Sequence, residues 1–111
     1  MGDRAAKDDL FDGLSLVAKA LGSGRRAELV DVLAQGPRTV DELAAEIGQS
    51  VANTSQHLQV LARAGLVAGR REGTRVRYRL ASERVGELWA AVRDVAARHV
   101  AGFDDLAEAY L

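Results

Sequence analysis

The sequence predicts a mainly α-helical fold with one small β-hairpin, and three observations carry that prediction. Apolar residues recur at three- and four-residue spacing through most of the 111 residues, as buried helix faces require. Strict two-residue alternation occurs over residues 75–80, where Val76, Tyr78 and Leu80 alternate with Arg75, Arg77 and Arg79. Glycine, or glycine with proline, punctuates most of the joints between segments. A chain of this length makes one domain, residues 1–111, whose core is small enough that pairing with a second copy would help it.

The elements follow in order. Leu10, Leu14, Val17 and Leu21 form a stripe, with Phe11 and Ala18 beside it, on a helix of about four turns ending near Gly22. Arg25 to Gln35 reads as a second helix with Ala27, Val30 and Leu33 inward, stopped by Gly36 and Pro37. Thr39 to Gly48 reads as a third. Thr39 and Glu42 have capping-box spacing, Val40, Leu43, Ala44 and Ile47 face inward, and Gly48 and Gln49 make the turn. Ser50 caps a fourth helix in which Val51, Thr54, Leu58 and Leu61 share the buried face, and Gly65 ends it. Leu66 to Arg71 pairs with the alternating strand through a turn of Glu72, Gly73 and Thr74, with Gly73 free to take positive φ. Ser82 caps a last helix with a sustained stripe of Val85, Leu88, Val92, Val95, His99, Phe103, Leu106 and Tyr110.

Two helices joined by a tight turn (39–64) and followed by a hairpin (66–80) have the outline of a winged helix-turn-helix. The side chains fit double-stranded DNA. Away from its buried stripe the fourth helix carries Ala52, Asn53, Gln56 and Gln59; carboxamides can bond an adenine edge bidentately, and a small residue admits a thymine methyl. From Ser50 to Leu80 six arginines oppose the single acid Glu72, a local charge of plus five for which phosphate is the natural counter-charge. The candidate DNA-binding residues are therefore Ser50, Ala52, Asn53, Ser55, Gln56, His57, Gln59, Arg70, Arg71, Arg75 and Arg77. From Ser82 to Leu111 six acids outweigh three arginines, so the chain is polarised.

The run SQHLQVLARAGLVAGRREGTRVRYRL resembles the signature of the ArsR/SmtB family of small dimeric bacterial repressors. In that signature S-x-H-L-x-x-L-x-x-A-G-L-V precedes a wing containing arginine and glycine and a Y-x-L strand. The likeness spans about Gly24 to Leu80 at motif level, and the flanking helices match in length and pattern. It implies a homodimer paired through the first and last helices (1–22 and 82–111), whose apolar surface exceeds what so small a domain can bury. Leu10, Leu14, Val17, Leu88, Val92, Phe103, Leu106 and Tyr110 would form that interface. Two-fold symmetry then implies an imperfect inverted-repeat operator. For His57 the resemblance implies packing or phosphate contact. In the same family, metal sites on the last helix draw Asp and His from both subunits, which makes His99, Asp94 and Asp104 the corresponding candidates for Ni²⁺ or Zn²⁺ here. The family's Asp-x-His pair, followed by His-x-x-Glu or His-x-x-His, is missing from this chain.

Several classes are disfavoured. Cysteine is absent, which removes disulfides, thiolate metal sites and thiol redox sensing; the family's Cys-x-Cys position reads Leu43 to Glu46 here. Ser55 and His57 stand two apart, on different sides of a helix, and cannot form a nucleophile–base dyad, so no enzyme is expected. No apolar run spans a membrane, and the start MGDRAAKDD lacks a signal-peptide core, so a cytoplasmic location is expected. The alternative is a winged-helix protein–protein interaction module without direct DNA readout. It would favour an uncharged wing and an apolar recognition face, and the chain has neither. Candidate effectors are a divalent ion, a small organic ligand between the terminal helices, or a co-regulatory protein.

Overall fold

The computed structural model describes residues 2–110; positions 1 and 111 of the expected domain lie outside the described residues. Along the chain run α1 (Gly2–Leu21), α2 (Gly24–Ala34), β1 (Arg38–Thr39), α3 (Val40–Ile47), α4 (Val51–Arg63), β2 (Val67–Glu72), β3 (Arg75–Leu80), α5 (Glu83–His99) and α6 (Phe103–Tyr110). The strands form one antiparallel sheet in the order β1-β3-β2.

Local chemistry explains the boundaries. Ser23 caps α2, its hydroxyl accepting from the Arg26 N–H at 3.4 Å. Thr39 and Glu42 form the full capping box at the start of α3, and Gly48, at φ 65°, closes that helix in the left-handed conformation. The Ser50 hydroxyl accepts from the Asn53 N–H at 3.0 Å and so opens α4. Gly73, at φ 64°, and Thr74 alone join β2 to β3, because Glu72 is already paired with Arg75. The turn is thus two residues long where three were expected, and β2 is shifted one residue later than Leu66 to Arg71. Gly69 faces Tyr78 across the ladder; a Cβ there would lie 2.9 Å from the phenol ring, so only glycine lets the ring lie over the strand.

The core sits where α2, α3, α4 and the sheet meet. Leu29, Leu43, Leu58 and Leu61 are completely buried, with Val30, Val32, Leu33, Ile47, Leu66, Val67 and Val85 around them. Leu29 and Val32 thus join the core although the spacing of Ala27, Val30 and Leu33 did not include them, and Val51, expected on the buried face, is 49% exposed. Val51 stands in the first turn of α4, at the rim of the arc formed by Thr54, Leu58 and Leu61.

The largest departure concerns the last helix. It ends at His99: Val100 turns extended at φ −93°, ψ 120°, and Gly102, at φ 76°, reverses the chain into α6. Ser82 occupies the N-cap position of α5, but among the described residues its side chain finds no cap partner. The first helix is also longer than four turns, reaching back to Gly2.

Candidate nucleic-acid interface

The turn at Gly48 and Gln49 sets α4 across α3, and burial of Thr54, Leu58 and Leu61 fixes its rotation. Thr54 hides its hydroxyl by donating to the Ser50 carbonyl at 2.8 Å. With that face committed, Ala52, Gln56, Gln59 and Arg63 fall together on the opposite, exposed face. Asn53 is exposed on one flank, beside half-buried His57, and half-buried Ser55 lies on the other. Ser50 is exposed at the tip, with its hydroxyl engaged as the cap. Arg63 was counted as charge in the sequence but not assigned; its spacing of seven from Gln56 is the signal that would have found it.

The hairpin register divides the wing arginines. Glu72 pairs with Arg75, Arg70 with Arg77 and Ala68 with Arg79, so Arg70, Arg75, Arg77 and Arg79 share one face. Arg71 pairs with Val76 and lies on the other, with Tyr78 and Leu80. The four candidate wing residues thus divide into three on one face, Arg70, Arg75 and Arg77, and one apart, Arg71. Arg70 directly opposite Arg77 is unfavourable unless counter-charge is supplied. Glu72 supplies part of it, 3.4 Å from the Arg77 Nε. Arg79 is drawn back toward the main chain, donating to the carbonyls of Leu80 and Ala81.

Beside this face, Glu42 is held below the ordinary carboxylate value of 4.5. The main cause is the hydrogen bond from the Thr39 backbone N–H at 2.8 Å, followed by the Thr39 side chain; burial opposes them, and Arg77 and Arg38 lower the value further by smaller amounts. Arg38 reaches this corner through β1, a strand of two residues that sequence reading did not foresee.

Residues 23–68 match the family described as "Bacterial regulatory protein, arsR family". The chain is 39% identical over 93 residues to the uncharacterized HTH-type transcriptional regulator Rv0081 of Mycobacterium tuberculosis, covering 79% of this chain and 82% of that protein. The chain belongs to the ArsR family. It is also 45% identical over 100 residues to the HTH-type transcriptional regulator Rv0324 of M. tuberculosis; that match covers 90% of this chain but spans only 44% of the relative's length. Among solved structures, the homodimeric winged helix-turn-helix DNA-binding domain of a possible ArsR-family regulator from Mycobacterium bovis superposes with a TM-score of 0.80 at 46% identity, covering 85% of this chain and 87% of that one. The winged helix-turn-helix outline and the assignment to transcriptional regulators rather than enzymes therefore stand. No helix among the described residues is long and apolar enough to cross a membrane.

The terminal helices make the family member's second surface. On α1, Leu10, Phe11 and Leu14 are more than half exposed, whereas Val17 packs on the core of its own subunit. On α5, Leu88 and Val92 are 38% and 39% exposed. The middle of α5 is tied to the head by Asp31, which accepts from the Trp89 Nε1–H at 2.9 Å and from Arg93 at 3.1 Å. Sequence reading missed Asp31, an acid whose immediate neighbours on α2, Val30 and Val32, are apolar. Phe103, Leu106 and Tyr110 of α6 fold back toward α5, where with Trp89, Val92 and Asp31 they line an open apolar groove of about 280 Å³.

The candidate metal donors are not brought together. His99 is exposed in the single subunit, in the last turn of α5; its expected partial burial at a dimer seam would have to come from the partner. Asp94 is paired with Arg98 at 3.1 Å, and Asp104 lies beyond the break, in the first turn of α6. Among the described residues of one subunit, no group of three or more His, Asp or Glu side chains could hold a metal ion. The residues present do not fit a metal site within one chain.

Proposed function

We propose that the protein is a homodimeric, sequence-specific repressor that reads an inverted-repeat operator with α4 and grips the phosphate backbone with the wing. The observation that carries this reading is the presence, in one small domain, of an exposed polar helix face, Ala52, Gln56, Gln59 and Arg63, and a hairpin face carrying Arg70, Arg75 and Arg77. Carboxamides give base readout, and guanidinium groups give charge and bidentate phosphate contact. The exposed stripes of α1 and α5 support the dimer, as does the homodimeric state of the M. bovis neighbour. A divalent effector such as Ni²⁺ or Zn²⁺ would need donors from both subunits.

The test is selection of bound duplexes from a randomised pool. The expected product is an imperfect inverted repeat with half-sites about one helical turn apart. Gln56→Ala should then lose about 1–3 kcal/mol of discrimination against random duplex. Arg70→Ala with Arg77→Ala should weaken binding to all duplexes alike and flatten the log K versus log salt slope by roughly one unit for each phosphate no longer neutralised. No enrichment from the pool would overturn the reading.

A further inference from the structure

Arg26 stands where three helices meet. Its Nε donates to the Ala20 carbonyl at 2.7 Å and one terminal nitrogen donates to the Lys19 carbonyl at 3.2 Å, both in the last turn of α1. Carbonyls at a helix end lack intrahelical partners and carry partial negative charge, so a guanidinium there is doubly suited. The other terminal nitrogen lies 3.4 Å from Nδ1 of His57 on α4. The Arg26 main chain is itself fixed in the first turn of α2 by the Ser23 cap.

The chemistry of the third contact is one-sided. Arginine offers only N–H donors, so Nδ1 of His57 must accept, and the neutral ring then carries its proton on Nε2. His57 adjoins Gln56 and lies one turn beyond Asn53, on the flank of the exposed reading face. The other end of the connection is α1, the helix whose Leu10, Phe11 and Leu14 lie open.

We propose that Arg26 is a positioning residue for DNA binding: it ties the end of α1 to the recognition helix and fixes His57 as an Nε2–H donor to a DNA phosphate oxygen. This rests on the proposed DNA-binding function. Phosphate contacts set the register of a helix in the groove. A recognition helix tied to the dimer arm holds its spacing to the partner's recognition helix, and reading both half-sites depends on that spacing.

The experiment combines imidazole ¹⁵N NMR of the full chain with binding to the duplex selected above. In the wild type, measured with the ring neutral, His57 should show a protonated Nε2 and an unprotonated Nδ1; Arg26→Gln should shift it to a mixture of tautomers. Arg26→Gln and His57→Ala should each lose about tenfold in duplex affinity, and the double variant should lose no more than the weaker-binding single one, since both remove one connection. Arg26→Lys should restore little, because a single ammonium cannot bridge both α1 carbonyls and the ring. A wild-type ring protonated on Nδ1 would overturn the proposal without any variant. Additive losses in the double variant would overturn it while leaving the DNA-binding function intact. Failure of the wild type to select any duplex would instead overturn that function, and the role of Arg26 with it, even with the expected tautomer.

Discussion

Leu58 and Leu14 are the same residue on stripes of the same helical spacing, yet Leu58 is completely buried and Leu14 is 57% exposed. The difference separates two regions. From α2 to β3 each apolar face meets another within the subunit, and the sheet closes over them. On α1 and the outer face of α5 the stripes run past the head and end on solvent. A periodic stripe states that a face requires a partner; it does not state which chain supplies it. The balance of charge follows the same division: residues 24–80 carry nine arginines against six acids, and the two ends together carry ten acids against six cations.

The contrast breaks most directly at its two leucines. Leu58→Ala removes a side chain with no exposed surface and should cost about 2–5 kcal/mol in chemical denaturation, with the same loss at every protein concentration. Leu14→Ala should show a loss that grows or shrinks with concentration, because its burial depends on association. A cost below about 1 kcal/mol for Leu58→Ala would place it outside the core.

Next comes the open surface itself. Leu14→Glu places a carboxylate where the proposed dimer buries an alkyl group, and should weaken association by about 2 kcal/mol per site. Sedimentation velocity should show a monomer at concentrations where the wild type is dimeric. An unchanged dimer would move the interface away from α1.

A smaller effect locates the border between the regions. Trp89→Phe keeps an aromatic ring, smaller than the indole, and deletes the N–H that Asp31 accepts; it should cost about 1–2 kcal/mol at all protein concentrations. Arg93, 57% exposed, remains on the same carboxylate and limits the loss. A concentration-dependent loss would mean that Trp89 belongs to the dimer surface rather than to the head.

Legibility in the sequence follows the same border. The recognition helix and the wing were readable because their signals are local: the Ser50 cap, the Thr54, Leu58, Leu61 spacing, and strict alternation over 75–80. Strand β1 was not, since two residues carry no period and Arg38 and Thr39 pair with positions about forty residues away. The break after His99 was hidden because Phe103, Leu106 and Tyr110 continue the stripe in phase, although Gly102 stood within it as a signal. Asp31 was hidden for another reason. An acid between two buried valines gains its meaning from partners 58 and 62 residues away, and no local pattern names them.

The smallest expected effect concerns Glu42, an exposed side chain on the head where the closed region carries its own electrostatics. Its folded value lies below the ordinary 4.5, chiefly through the Thr39 backbone hydrogen bond. A lowered carboxylate stabilises the fold fully above its ordinary value, and that contribution is lost as pH falls through the folded value. Glu42→Gln keeps a carbonyl oxygen for the Thr39 N–H but has no charge to offer Arg77 and Arg38, and it does not titrate. Wild type should therefore lose stability relative to Glu42→Gln when acidified from about pH 6 to about pH 3. Added salt should narrow the gap near neutrality by screening the two arginines, while leaving the hydrogen-bonded part in place. Parallel stability curves for the two proteins across this range would show that the capping box works through geometry alone, with no contribution from the charge of Glu42.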